Sequence, residues 1–278
     1  MSAFDPGNRK NLALRVASGL VLFPLAVWFT FVGGLPFALL AGGAAAVAAA
    51  ELILMFGAVG VAEVFGMAVA GIMPLAAAFS EDQNLYPAWM APALAFAVVL
   101  LLSAFLFRRE RLETIPPRIA TVTLSWLYCG LLISTVVGLR RIGVGWVILA
   151  FVVTWANDTF AYFAGHALGR HRMMERISPK KTWVGFAGGA VGSVVGALVT
   201  RWILPELEIL SPAQMVLVGS GGAVLGPLGD FCESLVKRAA GVKDSGRIIP
   251  GHGGLLDRID ALLFVAPWIY AWAAYVAR

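Results

Sequence analysis

The residues best suited to chemistry lie in one stretch, 226–260, which reads GPLGDFCESLVKRAAGVKDSGRIIPGHGGLLDRID. Acidic and basic side chains are interleaved there with glycines, whereas the flanking sequence is mostly apolar. Carboxylates and cationic side chains mixed in this way are typical of a site that holds metal ions against phosphate groups. The stretch therefore predicts metal-assisted phosphate chemistry.

Two groups of aspartates in this stretch are spaced to share helix faces. Ser234 and Lys237 follow Asp230 at one and about two helical turns, and Asp257 and Asp260 are three residues apart. We expect the two groups to converge on one pocket from opposite sides. Oxygen ligands suit Mg²⁺, which proteins usually share with substrate phosphates. Two metal ions about 3.5 to 4 Å apart would stabilise an in-line phosphoryl displacement.

The segment between the two groups carries further polar candidates. Lys243 and Asp244 precede a PGHGG turn at 250–254, whose glycines let backbone amides approach a ligand closely. His252 is the only histidine of the stretch. The sequence leaves two roles open for His252, which are stabilisation of the turn and proton transfer.

An aspartate also stands well inside an upstream apolar run. Asp158 would cost about 2.5 to 3.5 kcal/mol at the centre of a membrane helix, so a functional role is favoured over a merely hydrogen-bonded buried carboxylate. Tyr162 and His166 follow it at helical spacing and should share its face.

A short basic loop follows, with the sequence SPKKTW at 178–183. The adjacent Lys180 and Lys181 stand behind a proline, between the hydroxyls of Ser178 and Thr182, and would form a compact phosphate clamp. Basic residues are common in cytoplasmic loops, so this loop indicates a site only because it should face the acidic stretch on the same side of the membrane.

The elements that must position these residues are membrane helices. The chain has 278 residues and is 60% hydrophobic, whereas soluble domains are about 45 to 50% apolar. Apolar runs of about 17 to 25 residues recur along it, as expected for helices that cross a bilayer. The pattern predicts an all-α polytopic membrane protein with about nine spans: 16–33, 35–56, 61–79, 88–107, 119–138, 144–165, 183–203, 211–229 and 259–277.

The distribution of basic residues predicts the orientation. With a cytoplasmic N-terminus, all but four of the 21 lysines and arginines fall on the inner side, which satisfies the positive-inside rule. The exceptions are Arg140, Arg141, Arg201 and Arg278. Arg140 and Arg141 must either snorkel at the outer surface or indicate an error in the span count. Because the bases flank membrane spans, they favour phosphate ligands and anionic lipids over nucleic acid.

Small residues and proline predict how two spans behave. Gly188, Gly192 and Gly196 recur at every fourth position, which favours close packing inside the protein over a dimer face. Pro227 should break or kink the eighth span immediately before Asp230, because proline removes a backbone donor. Irregular backbone at this depth would mark the edge of a site.

The remaining polar residues of the spans carry weaker signals. Cys129 and Cys232 are far apart in apolar segments, so we expect buried free thiols and no disulfide. Glu51 and Glu63 lie near the cytoplasmic ends of their spans. A structural role is favoured for Glu63, and for Glu51 structural and functional roles are equally open.

The acidic stretch resembles the signature of the phosphatidate cytidylyltransferases, the CDP-diacylglycerol synthases. The matching residues are S-x-x-K-R at 234–238, K-D at 243–244 and P-x-H-G-G-x-x-D-R-x-D at 250–260. About a dozen matching positions in one run are far more specific than a short motif. The D-x-x-x-Y-x-x-G run at 158–165 and SPKKTW at 178–183 also look like family elements, so the resemblance covers roughly the C-terminal half. One position departs from it, since Val184 stands where the family often has Glu or Gln.

This resemblance implies an enzyme of phospholipid biosynthesis in the bacterial inner membrane. It would join CTP and phosphatidic acid into CDP-diacylglycerol and pyrophosphate at the cytoplasmic face. The resemblance further implies Asp230 and Asp257 as ligands of Mg²⁺, with a monovalent cation such as K⁺ as an option in a second position, and a homodimer. The choice of CTP rests on the resemblance alone.

The residues and the resemblance together define the candidate site. The catalytic candidates are Asp230, Asp257, Lys237, Arg238, Lys243, Asp244, His252 and Asp260. The substrate-binding candidates are Asp158, Tyr162, Ser178, Lys180, Lys181, Thr182, Ser234 and Arg258. We expect an N-terminal membrane region at 1–140 and a C-terminal catalytic region at 141–278 that form one compact unit.

Two other functions remain open from the sequence. The nucleotide and metal requirements also fit a CTP-using lipid kinase or a cytidylyltransferase for a different lipid phosphate. A transporter or channel would instead use Asp158 and the interrupted eighth span to line an ion path. Because the unusual charges cluster on one side, and a transport path needs polar groups across the full thickness, the pattern favours an enzyme.

Overall fold

Helices make up most of the protein, because a backbone that crosses lipid must satisfy its hydrogen bonds within itself. The computed structural model describes residues 6–57, 59–81, 84–106, 108 and 111–276, and for 6–13, 15 and 16 the backbone alone; Arg278 therefore lies outside the described residues. The α-helices are α1 (Pro6–Val32), α2 (Gly34–Phe56), α3 (Val61–Ala78), α4 (Met90–Leu106), α5 (Ile115–Ser125), α6 (Leu132–Ile142), α7 (Val144–Leu168), α8 (Trp183–Ile203), α9 (Pro212–Ala239) and α10 (Leu256–Val276).

Short irregular helices complete these elements. A 3-10 turn at Leu112–Thr114 and a π-helical segment at Trp126–Leu131 join α5 and α6 into one continuous helical run, and a second 3-10 turn lies at Pro205–Leu207. A π-helical segment inside a longer helix is a local widening of the hydrogen-bond pattern. The run from Leu112 to Ile142 therefore counts as a single membrane segment.

The described chain thus contains nine apolar helical segments, as the sequence predicts. Seven of them are long and apolar enough to cross a membrane, and two shorter ones are Ala17–Val32 and Met90–Leu106. The protein is an all-α integral membrane protein. Two boundaries differ by ten residues, since α1 begins at Pro6 instead of 16 and α9 ends at Ala239 instead of 229. Beside the acidic stretch, α10 begins at Leu256 instead of 259.

The expected break at Pro227 is wrong. Helix α9 runs through Pro227 without interruption for 28 residues. A proline removes one hydrogen bond and crowds the preceding turn, and membrane helices tolerate this where neighbouring helices pack around the site. Pro227 is buried and lies at the edge of a cavity. A bend without a break at this position stays a prediction.

Helices α7 to α10 pack side by side, with α8 against both α7 and α9, and α9 against α10. The row of glycines in α8 faces α7, so the prediction of internal packing is confirmed. A Cβ atom on Gly192 would lie 2.6 Å from the carbonyl oxygen of Ala156 and 2.7 Å from the Cβ of Phe160. Only glycine permits this approach of the two backbones.

A second close approach joins α9 to α10 beside the acidic stretch. A Cβ atom on Gly229 would lie 2.5 Å from the carbonyl oxygen of Asp260. Further along the two helices, the indole N–H of Trp268 donates to the carbonyl of Val218 at 3.0 Å. The two helices therefore run antiparallel, and Asp230 stands beside the first turns of α10.

A two-stranded hairpin connects α7 to α8. Its strands are β1 (Arg172–Met174) and β2 (Ser178–Thr182), which pair antiparallel. The guanidinium of Arg172 donates to the carbonyl of Pro179 across the hairpin. At its end the hydroxyl of Thr182 accepts a hydrogen bond of 3.1 Å from the N–H of Gly185, which caps the start of α8.

The two arginines that contradict the charge pattern bind backbone carbonyls. The Nε of Arg140 donates to Thr30 at 2.5 Å and its Nη2 donates to Phe31 at 3.1 Å, both at the carboxyl end of α1. Arg141 donates to the carbonyl of Asn84 at 3.0 Å, in the α3–α4 connection. Cations at the end of a helix offset its negative pole. These contacts give both arginines a structural role. Their place on the outer side therefore requires no change in the number of spans.

The cysteines differ from each other in burial. Both are free, but only Cys129 is buried, and Cys232 is exposed on α9. The expectation of two buried thiols is therefore wrong for Cys232, because its position in an apolar segment did not tell which side of the helix faces the protein.

Candidate active site

A cavity of about 720 Å³ lies between α7, the hairpin, the start of α8 and the middle of α9. Its charged lining residues are Asp158, Arg170, Arg172, Lys180, Lys181 and Asp230, and Tyr162, His166 and Thr182 add polar groups. A pocket that holds both carboxylates and several cations can accept a phosphate ligand together with a metal ion.

The α7 wall carries the predicted row of polar side chains. Asp158, Tyr162 and His166 all line the cavity, which confirms that they share one face. The rings of Tyr162 and His166 are stacked, with centroids 6.0 Å apart and planes inclined by 7°. The row runs from the membrane interior toward the hairpin.

The opposite wall is formed by Asp230 of α9, which is paired with a lysine of the hairpin. The Nζ of Lys181 lies 2.7 Å from Oδ2 of Asp230 and 4.7 Å from the centroid of the Phe231 ring. Ser234 donates from its Oγ to Oδ1 of Asp230 at 3.2 Å, as its spacing on the helix predicts. Asp230 thus connects α9 to the loop at 178–183.

Two further aspartates lie close to this pair. Asp158 and Asp260 are each near enough to Asp230 and Lys181 for electrostatic interaction. Three carboxylates thus lie around one ammonium group, while the other bases of the cavity are Arg170, Arg172 and Lys180. Carboxylates grouped in this way can bind a cation, and the bases can bind phosphate.

A second cluster lies one to two turns further along α9. The Nζ of Lys237 contacts the carboxylate of Glu233 and lies 2.5 Å from Oδ1 of Asp257. Glu233 is fully buried. The lysine and the two buried carboxylates compensate one another's charges. Removal of any one of the three side chains would leave an unpaired buried charge.

Asp257 also organises the loop that joins α9 to α10. Its Oδ2 accepts hydrogen bonds from the N–H of Ser245 at 2.9 Å, from the Oγ of Ser245 at 2.9 Å and from the N–H of Gly254 at 3.0 Å. The loop at 240–255 is therefore folded around this carboxylate.

A glutamate from the N-terminal half reaches the same loop. Glu51 of α2 is 3% exposed. It accepts hydrogen bonds from the N–H of Leu255 at 3.0 Å and of Leu256 at 2.8 Å, and from the Oγ of Ser245 at 3.3 Å. The role that the sequence left open for Glu51 is thus at least structural.

The other predicted residues lie around the loop. Arg238 donates to the carbonyl of Val242 at 2.9 Å, just past the end of α9. The Nδ1 of His252 lies 2.8 Å from the Oγ of Ser18, so its turn contacts α1. Exposed positions in or beside the loop are occupied by Lys243, Asp244 and Arg258. Ser178 begins β2 and is half-buried.

Asp230 and Asp257 lie near the same end of the α9–α10 pair. The helices are antiparallel and Gly229 lies against Asp260, so the offset of three residues from Asp257 to Asp260 corresponds to about 5 Å along the axis. Among the described residues, Asp257 is not part of the cavity lining, and Lys237 joins it to α9. The two aspartates therefore occupy adjoining clusters.

Some residues of the site were not singled out from the sequence. Arg170 and Arg172 line the cavity, although they look like ordinary bases of a cytoplasmic loop. Ser245 contacts Asp257 although it stands in a run of small polar residues without a periodic pattern. Contacts of this kind depend on the path of a loop and cannot be predicted from a periodic pattern. For Glu51, by contrast, an acidic residue within an apolar span already indicated a special role.

The carboxylates fit a hard divalent cation. Within the part of the chain that the structure describes, no group of three or more His, Cys, Asp or Glu side chains has a geometry that could hold a metal ion by itself. Mg²⁺ is commonly bound by one or two carboxylates, with water and substrate phosphates as its other ligands. Asp230 lies at the cavity wall, where a ligand can reach it, whereas Asp257 does not line the cavity. Both oxygens of each carboxylate contact protein groups.

Comparison with known proteins extends the resemblance over most of the chain. Residues 13–276 match the model of the cytidylyltransferase family. A phosphatidate cytidylyltransferase of Bacillus subtilis (strain 168) is 34% identical over 265 residues, which cover 94% of this chain and 97% of that protein.

Two other relatives match over a shorter length. Phosphatidate cytidylyltransferases of Thermotoga maritima and Brucella abortus (strain 2308) are 38% and 37% identical over 156 and 159 residues. These matches cover 55% and 54% of this chain, and 58% and 55% of the relatives. A family match over nearly the whole length, with a carboxylate-lined cavity at one end of the helical bundle, leads to one conclusion: this chain belongs to the cytidylyltransferase family.

Proposed function

We propose that the protein is a phosphatidate cytidylyltransferase, which transfers CMP from CTP to phosphatidic acid and releases pyrophosphate. The observation that carries this proposal is the cavity in which Asp230, paired with Lys181, faces Asp158 and a row of bases. The names of the relatives support the choice of substrates.

In this reaction an oxygen of the lipid phosphate attacks the α-phosphorus of CTP. A phosphorus–oxygen bond forms between lipid and CMP, and the bond between the α-phosphorus and the bridging oxygen of the β-phosphate breaks. Pyrophosphate leaves with the electron pair. We propose that Lys180 and Lys181, which line the cavity, stabilise the negative charge of the triphosphate, and that Lys237 and Arg238 assist them from α9.

The chain's own residues also order the reactants. Thr182 and Gly185 bring the amino end of α8 to the cavity, where backbone N–H groups favour anions. The pairing of Lys181 with Asp230 keeps both groups at the wall before a ligand binds. We assign the other predicted residues, including His252 and Lys243, to the loop that closes this end of the site.

We infer that Mg²⁺ is the cofactor and that Asp230 holds it together with the triphosphate, with Asp257 as the second protein ligand. The bound cation would supply neutralisation of phosphate charge. In its present environment Asp257 bonds to Lys237, so its role includes positioning of that lysine. The proposal also includes a monovalent cation such as K⁺ in a second position.

The substrates determine where the reaction takes place. A diacyl phosphate keeps its chains in the bilayer, so its phosphate meets a soluble nucleotide at the interface. We propose that this interface is the cytoplasmic face of a bacterial inner membrane, as the distribution of basic residues predicts. The resemblance to the family also favours a homodimer.

Labelled nucleotide tests the proposal. Purified protein in detergent micelles with phosphatidic acid and Mg²⁺ should transfer label from [α-³²P]CTP to the lipid and label from [γ-³²P]CTP to pyrophosphate. Transfer of the γ label to the lipid would instead identify a lipid kinase. Each of the other nucleoside triphosphates, tested separately, measures the selectivity for cytosine.

A transporter would behave differently. It would carry ions across sealed vesicles without turnover of nucleotide. Flux in the absence of CTP, together with no labelled lipid in the assay above, would overturn the proposed function.

A further inference from the structure

We propose that Glu51 is a positioning residue for the reaction, which acts from the N-terminal half by fixing the loop that holds Asp257. This inference rests on the proposed function, because it concerns the same site. It adds a residue that lies outside the acidic stretch and is separated from Asp257 by more than 200 positions.

The first observation is that Glu51 completes the amino end of α10. The first turn of a helix has N–H groups without partners inside the helix, and a Ser, Thr, Asp or Asn just before the helix usually satisfies one of them. Here that position is Leu255, which cannot do so. The carboxylate of Glu51 accepts from the N–H groups of Leu255 and Leu256 instead.

The second observation is that the loop is shaped to the carboxylate. A Cβ atom on Gly246 would lie 2.4 Å from Oε1 of Glu51, and one on Gly254 would lie 2.8 Å from its Oε2. Any larger residue at these two positions would displace the glutamate. Two glycines of the loop therefore leave room for one side chain of α2.

The third observation is a direct link from Glu51 to Asp257. The hydroxyl of Ser245 lies 3.3 Å from Oε2 of Glu51 and 2.9 Å from Oδ2 of Asp257. One hydroxyl thus contacts both carboxylates, and a shift of Glu51 moves the group that orients Asp257. Substitution of a group that orients a metal ligand typically lowers metal affinity or activity about 10- to 100-fold.

A glutamate of similar burial provides the matched control. Glu63 of α3 is 2% exposed, and its carboxylate pairs with Arg108 and Arg118. It also accepts from the N–H of Gly60 at the start of its own helix. Glu63 therefore shares the burial and the helix-capping contact of Glu51 without a contact to the loop at 240–255.

The test compares the Glu51→Gln and Glu63→Gln variants in detergent micelles. The amide group of Gln places a donor against the N–H groups of α10, so we expect Glu51→Gln to lower kcat about 10- to 100-fold. The apparent unfolding temperature should fall no more than it does in Glu63→Gln, which should keep the kcat of its folded fraction. Normal kcat in Glu51→Gln, or equal loss in both variants, would overturn the proposal.

Limited proteolysis gives a second readout that does not require activity. Trypsin cleavage after Arg247 should be faster in Glu51→Gln than in the wild type, because the loop has lost its anchor, and unchanged in Glu63→Gln. If Glu51→Gln does not accumulate, Ser245→Ala takes its place, since it removes the link and leaves both carboxylates. Wild-type kcat together with wild-type cleavage in Ser245→Ala would also overturn the proposal.

The two proposals can fail separately. A wild-type protein that transfers no CMP would contradict the proposed function, whereas the cleavage rates would still report whether Glu51 fixes the loop. Normal transfer by the wild type together with unaffected variants would contradict only the role of Glu51.

Discussion

At the scale of single residues, Asp257 is held by groups of two kinds. Lys237 pairs with one oxygen, and neutral donors of the loop bind the other. Only the contact to Lys237 requires a negative charge, because an amide oxygen can still accept from the loop donors while its NH₂ group would face the ammonium.

The Asp257→Asn variant should accordingly abolish CMP transfer, with more than about 100-fold loss, while folded protein remains in the membrane. The measurement is transfer of the α label of CTP to lipid, with the unfolding temperature recorded in parallel. The exposed Glu208 in the loop before α9 provides the control Glu208→Gln, which should keep full activity. Appreciable activity in Asp257→Asn would reject Asp257 as a metal ligand.

Lys181 is expected to act on the nucleotide. The Lys181→Ala variant removes the cation that lies 2.7 Å from Asp230, so we expect a higher KM for CTP and a kcat about 100-fold lower. Arg176 lies on the same hairpin but not in the described cavity lining, and Arg176→Ala should leave both constants near the wild-type values. Equal effects of the two substitutions would indicate a nonspecific role of loop charge.

Removal of divalent cations tests the carboxylate cluster as a whole. Chelation with EDTA should stop the transfer, and added Mg²⁺ should restore it, because Asp158 and Asp230 repel the triphosphate unless a cation lies between them. The experiment measures the initial rate against free Mg²⁺ concentration. Full activity in excess EDTA would contradict the cation site at Asp230.

At the scale of elements, the α7–α8 pair depends on the absence of side chains at its contact. Gly192→Leu would force the helices apart, because a Cβ atom there already lies 2.6 Å from the carbonyl of Ala156. We expect a loss of about 1 to 3 kcal/mol in the free energy of unfolding, measured by denaturation in micelles. Gly43 of α2 has no atom within 4 Å of such a Cβ, so Gly43→Leu should be tolerated. A stable Gly192→Leu variant would contradict the tight contact.

The helices and one wall of the site could be predicted from the sequence. Long apolar runs and helical spacing predict local geometry, so the spans and the shared face of Asp158 and Tyr162 follow from them. The outcome at Pro227 could not be predicted in this way, because neighbouring helices decide whether a membrane helix tolerates proline. The partner of Glu51 was equally inaccessible, since it depends on how a loop folds onto another helix.

At the scale of the whole molecule, the distribution of basic residues predicts the orientation in the membrane. Glu208 and Lys243 flank α9, so they must lie on opposite sides if this helix crosses the bilayer. The charge pattern puts Lys243 inside.

Cysteine labelling can measure this orientation. In a Cys232→Ala background, where Cys129 is buried, a membrane-impermeant maleimide should label Glu208→Cys in intact cells and Lys243→Cys only in inverted vesicles. The opposite pattern would reverse the assigned orientation. Labelling of both from one side would contradict the passage of α9 through the membrane.

The unbroken course of α9 determines the depth of the reacting groups. A helix of 28 residues is about 42 Å long, whereas the hydrocarbon layer is about 30 Å thick. Asp230 follows Ser211 by 19 residues, which is about 28 Å of helix. An upright α9 with Ser211 at one surface of the hydrocarbon layer would therefore carry the carboxylate of Asp230 close to the other surface, and Lys237 beyond it.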